Sequence, residues 1–146
     1  MTADLATQIG QVLHTGDVLL LSGDIGAGKT HFARSLIQSL QDKPEDVPSP
    51  TFTLVQVYDT SKGELWHTDL YRLSHADEVV ELGLLEAFED AICLVEWPDR
   101  LEELAPTNAL SLAFAMTPEA GTRTLGITWT EPDWSTRLEG ITNAIA

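Results

Sequence analysis

One stretch constrains this chain more than any other: Gly23-Asp24-Ile25-Gly26-Ala27-Gly28-Lys29-Thr30. It follows Val18-Leu19-Leu20-Leu21, an all-apolar run that suits a strand buried on both faces. It precedes a segment where Phe32, Ala33, Leu36, Ile37 and Leu40 share one helical face. Strand, glycine-rich loop, helix is the expected order. The stretch fits G-x-x-x-x-G-K-[ST], the P-loop pattern. Its glycines let the backbone curl so that N–H groups face inward, toward phosphate oxygens. The helix that starts there adds the positive end of its dipole. The cradle is expected from Asp24, Ile25, Gly26, Ala27 and Gly28, with Lys29 reaching the outer phosphates of a nucleotide and the Thr30 hydroxyl ligating Mg²⁺. At average composition the pattern arises by chance in well under about 1% of chains this long, so composition does not account for it.

The 146 residues suit a single domain, 1–146. A chain of this size buries roughly two-thirds of its unfolded surface, enough for one real core. Hydrophobic residues make up 43%, and charged ones 21%, which reads as globular. The 23 Asp and Glu against 8 Lys and Arg leave a net charge of −15. That balance argues against direct binding to DNA or RNA, which needs basic surface to displace counterions. No uninterrupted apolar run is longer than Ala91–Val95, too short to span a membrane. The first residues lack a basic-then-apolar signal pattern, and a cytoplasmic location is expected. Cys93 is the one cysteine, so neither a disulfide framework nor a cysteine metal cluster is expected.

The rest of the chain alternates strand and helix signals. Leu5, Ile9, Val12 and Leu13 repeat at helical spacing, and Gly16 ends that helix. Lys43–Pro50 holds three prolines and reads as a loop. Phe52–Tyr58 and Leu65–Leu70 alternate on either side of Ser61-Lys62-Gly63, which predicts a β-hairpin. In its second strand Leu65, His67 and Asp69 share one face. Ser74-His75-Ala76-Asp77 opens a helix. Ala91–Val95 is a second buried strand ending at Glu96 and Trp97, before Pro98. Leu110–Met116 and Arg123–Trp129 suggest another hairpin, and a short helix from about Asp133 closes the chain.

A P-loop needs an acidic group beyond the Mg²⁺, usually after a hydrophobic strand next to the first one. Glu96, after Ile92-Cys93-Leu94-Val95, fits. Asp69 is a second candidate, to orient or deprotonate the attacking water. Thr51, in Ser49-Pro50-Thr51, is placed to sense a γ-phosphate as switch threonines do. His14, His31, His67 and His75 share no metal-ligand spacing and read as surface or helix histidines. Trp66, Trp97, Trp129 and Trp134 read as core or half-buried, and Cys93 as inert packing.

N-K-x-D is absent and no D-x-x-G follows the P-loop, which disfavours a small GTPase. Arg34, Arg72, Arg100, Arg123 and Arg137 are scattered and form no lid of the kind a small-molecule kinase needs. Three readings remain at this point: a Mg²⁺-ATP-hydrolysing domain that works with partners, a small kinase, and a non-catalytic nucleotide-gated interaction module.

Five blocks together resemble the TsaE (YjeE) family. They are the P-loop, Ser49-Pro50-Thr51-Phe52-Thr53-Leu54-Val55, His67-Thr68-Asp69-Leu70-Tyr71-Arg72-Leu73, Glu81-Leu82-Gly83-Leu84 and Ile92-Cys93-Leu94-Val95-Glu96-Trp97-Pro98. The resemblance covers roughly Val18 to Pro98. It implies an α/β P-loop NTPase domain of three layers, with a mixed sheet and an inserted antiparallel hairpin. It implies Mg²⁺-ATP as ligand, slow hydrolysis alone, and TsaB and TsaD as partners in making threonylcarbamoyladenosine on tRNA. The tRNA would be met only through that complex. The resemblance assigns phosphate binding to Asp24–Thr30, Mg²⁺ to Thr30 and Glu96, hydrolysis to Asp69, and a switch-like loop to Thr51. It also offers Arg123 as an arginine near the nucleotide. The run Asp99-Arg100-Leu101 departs from the family, where a glycine is expected nearby.

Overall fold

The apolar run at Val18 forms the strand the whole molecule is built around. The computed structural model describes residues 2–23, 28–43, 55–71, 77–116 and 123–145. In it β1 (Val18–Gly23) lies inside a six-stranded sheet of order β2-β3-β4-β1-β5-β6. The other strands are β2 (Val55–Thr60), β3 (Gly63–Asp69), β4 (Ile92–Glu96), β5 (Leu110–Met116) and β6 (Arg123–Thr128). β1 pairs parallel with β4 and β5, and β3 pairs parallel with β4. β2 and β6 run antiparallel at the two edges, so the sheet is mixed. Strands covered on both faces need no polar alternation, which is why β1 and β4 read as continuous apolar runs.

Side chains alternate across the sheet, and each face has its own core. Leu19, Leu21, Leu65, Ile92, Leu94, Leu110 and Leu112 pack with Ala6 and Ile9 of α1 (Thr2–Gln11). The same cluster takes Phe32, Leu36 and Ile37 of α2 (Lys29–Ser39), and Trp134 and Leu138 of α5 (Pro132–Ile145). Phe32 meets Phe114 edge-on, with centroids 5.5 Å apart. On the other face Val18, Leu20, Cys93 and Val95 pack with Val79 of α3 (Asp77–Glu81) and Leu84 and Phe88 of α4 (Leu84–Asp90). Leu101, from a 3₁₀ segment at Pro98–Leu104, completes that side. Helix, sheet and helix make the expected three layers, and the antiparallel β2–β3 hairpin enters between α2 and β4.

The element boundaries differ from the sequence expectation in three places. One helix was expected after Ser74, but the chain turns at Leu82-Gly83 and gives two short helices, because Gly83 adopts a left-handed conformation (φ 82°). The segment after Pro98 reads as a loop from the sequence, yet it coils as a 3₁₀ helix that buries Leu101. The closing helix is longer than expected, at 14 residues, and is anchored by Trp134, whose indole N–H donates to the Asn108 carbonyl at 2.8 Å. The Ser49–Leu54 stretch and the start of the expected helix at Ser74 lie outside the described residues.

Candidate nucleotide site

Sheet periodicity decides which side chains can meet the start of α2. Leu65 belongs to the core under α2, so His67 and Asp69, at successive alternate positions of β3, face the same side. Leu94 does likewise on β4, which places Glu96 on that side too. The parallel register sets Asp69 opposite Glu96, and Glu96 opposite Leu21. Three residues distant in sequence are therefore gathered at the carboxyl ends of adjacent parallel strands. In open α/β sheets ligands bind outside those ends, where the connections diverge to the two sides. Here the divergence is at β1, which has β4 on one side and β5 on the other.

Two glycines bring α2 to this place. Gly23 ends β1 at φ 133°, and a Cβ there would overlap the Phe114 carbonyl oxygen on β5. Only glycine fits so close a backbone approach. Gly28 is left-handed (φ 106°) and turns the chain into α2, with the Phe32 N–H donating to its carbonyl at 2.9 Å.

Lys29, His67, Asp69 and Glu96 are 5%, 0%, 5% and 2% exposed, an unusual concentration of buried polar groups. The Lys29 ammonium donates to the Gly23 carbonyl and lies over the Trp97 ring, 4.1 Å from its centroid. The Thr30 hydroxyl donates to Glu96 Oε1 at 3.0 Å, with Oε2 at 3.3 Å. His67 Nε2 contacts Glu96 Oε2 at 2.6 Å. The Tyr71 N–H donates to Asp69 Oδ1 at 2.9 Å, which fixes that carboxylate. Trp97 is the one non-glycine residue with positive φ among the described residues (φ 59°). Its N–H donates to the Leu21 carbonyl at 3.2 Å, and its ring stacks at a tilt on Tyr71, 4.8 Å between centroids. A bulky side chain in this conformation is strained, and such strain gathers at functional sites.

The donor set suits a metal–nucleotide. Mg²⁺ takes oxygen ligands and is held by few protein groups, since phosphates and water supply the others. A hydroxyl beside a buried carboxylate is of that size and kind. The ammonium of Lys29, poised on a carbonyl at the start of a helix, has the charge and reach that phosphate oxygens need.

The structure brings together Lys29, Thr30, Asp69 and Glu96, all named from the sequence. Asp24, Ile25, Gly26, Ala27 and Thr51 lie outside the described residues. Arg123 begins β6, separated from β1 by β5, and its backbone pairs with Met116. His67 departs from expectation: it is neither a surface nor a helix residue but a fully buried strand residue bonded to Glu96. Its shared face with Asp69 was the one signal available in the sequence. Cys93 is as expected. Burial, with a smaller contribution from Glu64, pushes its thiol up to about 12, so it stays protonated and unreactive.

Comparisons with known proteins place the chain in a family and a fold. The family model for threonylcarbamoyl adenosine biosynthesis protein TsaE matches residues 1–125. The tRNA threonylcarbamoyladenosine biosynthesis protein TsaE of Rickettsia felis is 42% identical over 103 residues, 70% of this chain and 60% of that relative's own length. The same-named protein of Aquifex aeolicus is 44% identical over 100 residues, 68% of this chain and 71% of its own. The crystal structure of Bacillus subtilis YdiB superposes with a TM-score of 0.81 at 29% identity, covering 99% of this chain and 89% of that one. The fold is that of the P-loop NTPases.

Proposed function

This chain belongs to the TsaE family, proteins of tRNA threonylcarbamoyladenosine biosynthesis, and we propose that it is that system's ATP-binding and ATP-hydrolysing subunit. On this reading residues 1–146 form one ATPase domain that works in the cytoplasm with TsaB and TsaD, and meets tRNA only through them. The observation that carries it is the Thr30 hydroxyl bonded to the buried Glu96 carboxylate, beside a buried Lys29 held on the Gly23 carbonyl at the carboxyl end of β1.

In this proposal the backbone from Asp24 to Gly28 cradles the phosphates at the start of α2. Lys29 exchanges the Gly23 carbonyl for a phosphate oxygen and keeps the Trp97 face, so the ammonium remains paired throughout. Thr30 and Glu96 hold Mg²⁺, which neutralises charge on the outer phosphates when bound. Asp69 orients the attacking water or takes its proton, from a carboxylate fixed by the Tyr71 N–H. Thr51 senses the γ-phosphate. Hydrolysis is slow in isolation. Arg100 donates to the Tyr71 carbonyl at 3.3 Å, and Arg137 is bound at the other end of β1, so neither serves the phosphates. An arginine supplied from outside is worth about 10³–10⁵ in comparable enzymes.

The test is ATP turnover by the purified protein, alone and with TsaB and TsaD, with Lys29→Ala as control. Partner stimulation that vanishes in the variant is expected. Turnover that partners leave unchanged would contradict the assignment.

A further inference from the structure

His67 is a buried polar group that the proposed chemistry does not use. Its ring is fully buried, and among the described residues its Nδ1 has no hydrogen-bond partner. A buried polar atom left that way is destabilising. An apolar residue, like Leu65 and Leu94 beside it, would fill the space without that cost. Its Nε2 meets Glu96 Oε2 at 2.6 Å. A carboxylate offers only lone pairs, so Nε2 carries the hydrogen of this contact.

We propose that His67 is the positioning residue that turns the Glu96 carboxylate toward the metal of a bound nucleotide, an inference that rests on the Mg²⁺-nucleotide reading above. The last torsion of a glutamate is soft and roughly two-fold, so nothing intrinsic chooses which oxygen faces Thr30. The His67 bond makes that choice. It occupies Oε2 and leaves Oε1 toward the Thr30 hydroxyl at 3.0 Å. The backbone that carries the ring is itself fixed by pairing on both sides, with Gln56 of β2 and Leu94 of β4. Imidazole is a poor ligand for Mg²⁺, which takes oxygen, so His67 acts through Glu96 and not on the ion. Partners of metal ligands typically set metal affinity by about 10–100-fold.

The experiment measures the affinity of a non-hydrolysable ATP analogue with Mg²⁺ and with EDTA. It uses the full chain and the variants His67→Leu, His67→Gln and His67→Asn, each checked by a thermal melt. In the native protein Mg²⁺ tightens binding. His67→Leu is expected to lose about tenfold or more of that gain while its affinity in EDTA stays within twofold. His67→Gln places an amide N–H near the Nε2 position and recovers most of the gain; His67→Asn falls short and does not. An undiminished Mg²⁺ gain in His67→Leu overturns the proposal and leaves the nucleotide reading standing. Equal losses with and without Mg²⁺ in all three variants also overturn it, since a purely structural role would act that way. If His67→Leu does not fold, the contrast between Gln and Asn decides, and equal behaviour counts against the proposal. A native protein that binds without any Mg²⁺ gain removes the underlying reading and the proposal together.

Discussion

The two ends of β1 each hold a buried carboxylate, and they are answered in opposite ways. At the amino end Asp17 Oδ2 accepts from the Arg137 guanidinium and from the His14 N–H at 2.6 Å. Arg137 also binds Asp133 at 2.7 Å and the Val12 carbonyl at 3.3 Å, tying α5 to α1 and β1. Burial alone would lower the Arg137 pKa, but its hydrogen bonds to Asp17 and Asp133 outweigh this and hold it above the ordinary arginine range. At the carboxyl end Glu96 is answered by a hydroxyl and an imidazole in place of a guanidinium. One cluster is balanced within the chain and serves the fold. On the proposed reading the other is completed by a ligand and serves binding.

The largest effect expected is at the carboxyl end. Asp69→Ala should lower partner-stimulated turnover by about 10²–10⁴-fold, with nucleotide affinity changed only a few-fold. Phosphate release and calorimetry measure the two, and a variant that still turns over normally removes Asp69 from the chemistry. At the balanced end Arg137→Ala should cost about 2–3 kcal/mol in urea unfolding, below the fully buried case because the guanidinium is partly exposed. Its affinity for Mg²⁺-ATP should not move; a large change there would erase the division between the two ends.

Cys93, on Glu96's own strand but facing the opposite core, shows burial with no ionic answer at all. The folded state keeps its proton up to about pH 12, while the unfolded chain loses it from about 9.0, so the folded state binds more protons in that window. Stability must therefore fall as pH rises through it, by about 1.4 kcal/mol per unit from this group. Cys93→Ala should flatten the slope of stability against pH by that amount. The smallest effect is the sharpest for the comparison. Glu96→Gln removes a buried charge that no guanidinium or ammonium among the described residues balances by ion pairing, so without nucleotide the proposal expects stability unchanged or raised by up to about 1 kcal/mol. A loss like that of Arg137→Ala would mean that both clusters serve the fold.

What was legible in the sequence follows from locality. The P-loop states its chemistry in consecutive residues, and alternation within one strand assigns Asp69 and Glu96 to a face. The pairing of His67 with Glu96, 29 positions away, depends on the β3–β4 register, which neither strand's own pattern encodes. The Arg137–Asp17 tie spans 120 positions and is invisible to any local signal. The left-handed turn at Trp97 is likewise a product of tertiary packing, since nothing about tryptophan favours it.

The claim that the carboxyl-end cluster is built to be completed by a metal–nucleotide is tested most directly by calorimetric titration of Mg²⁺-ATP into the native protein and into Lys29→Ala. Native binding that weakens by about 10–100-fold in the variant, with its melting temperature retained, is the result this account predicts. Equal affinity in the two proteins, or no binding by the native one, would contradict it.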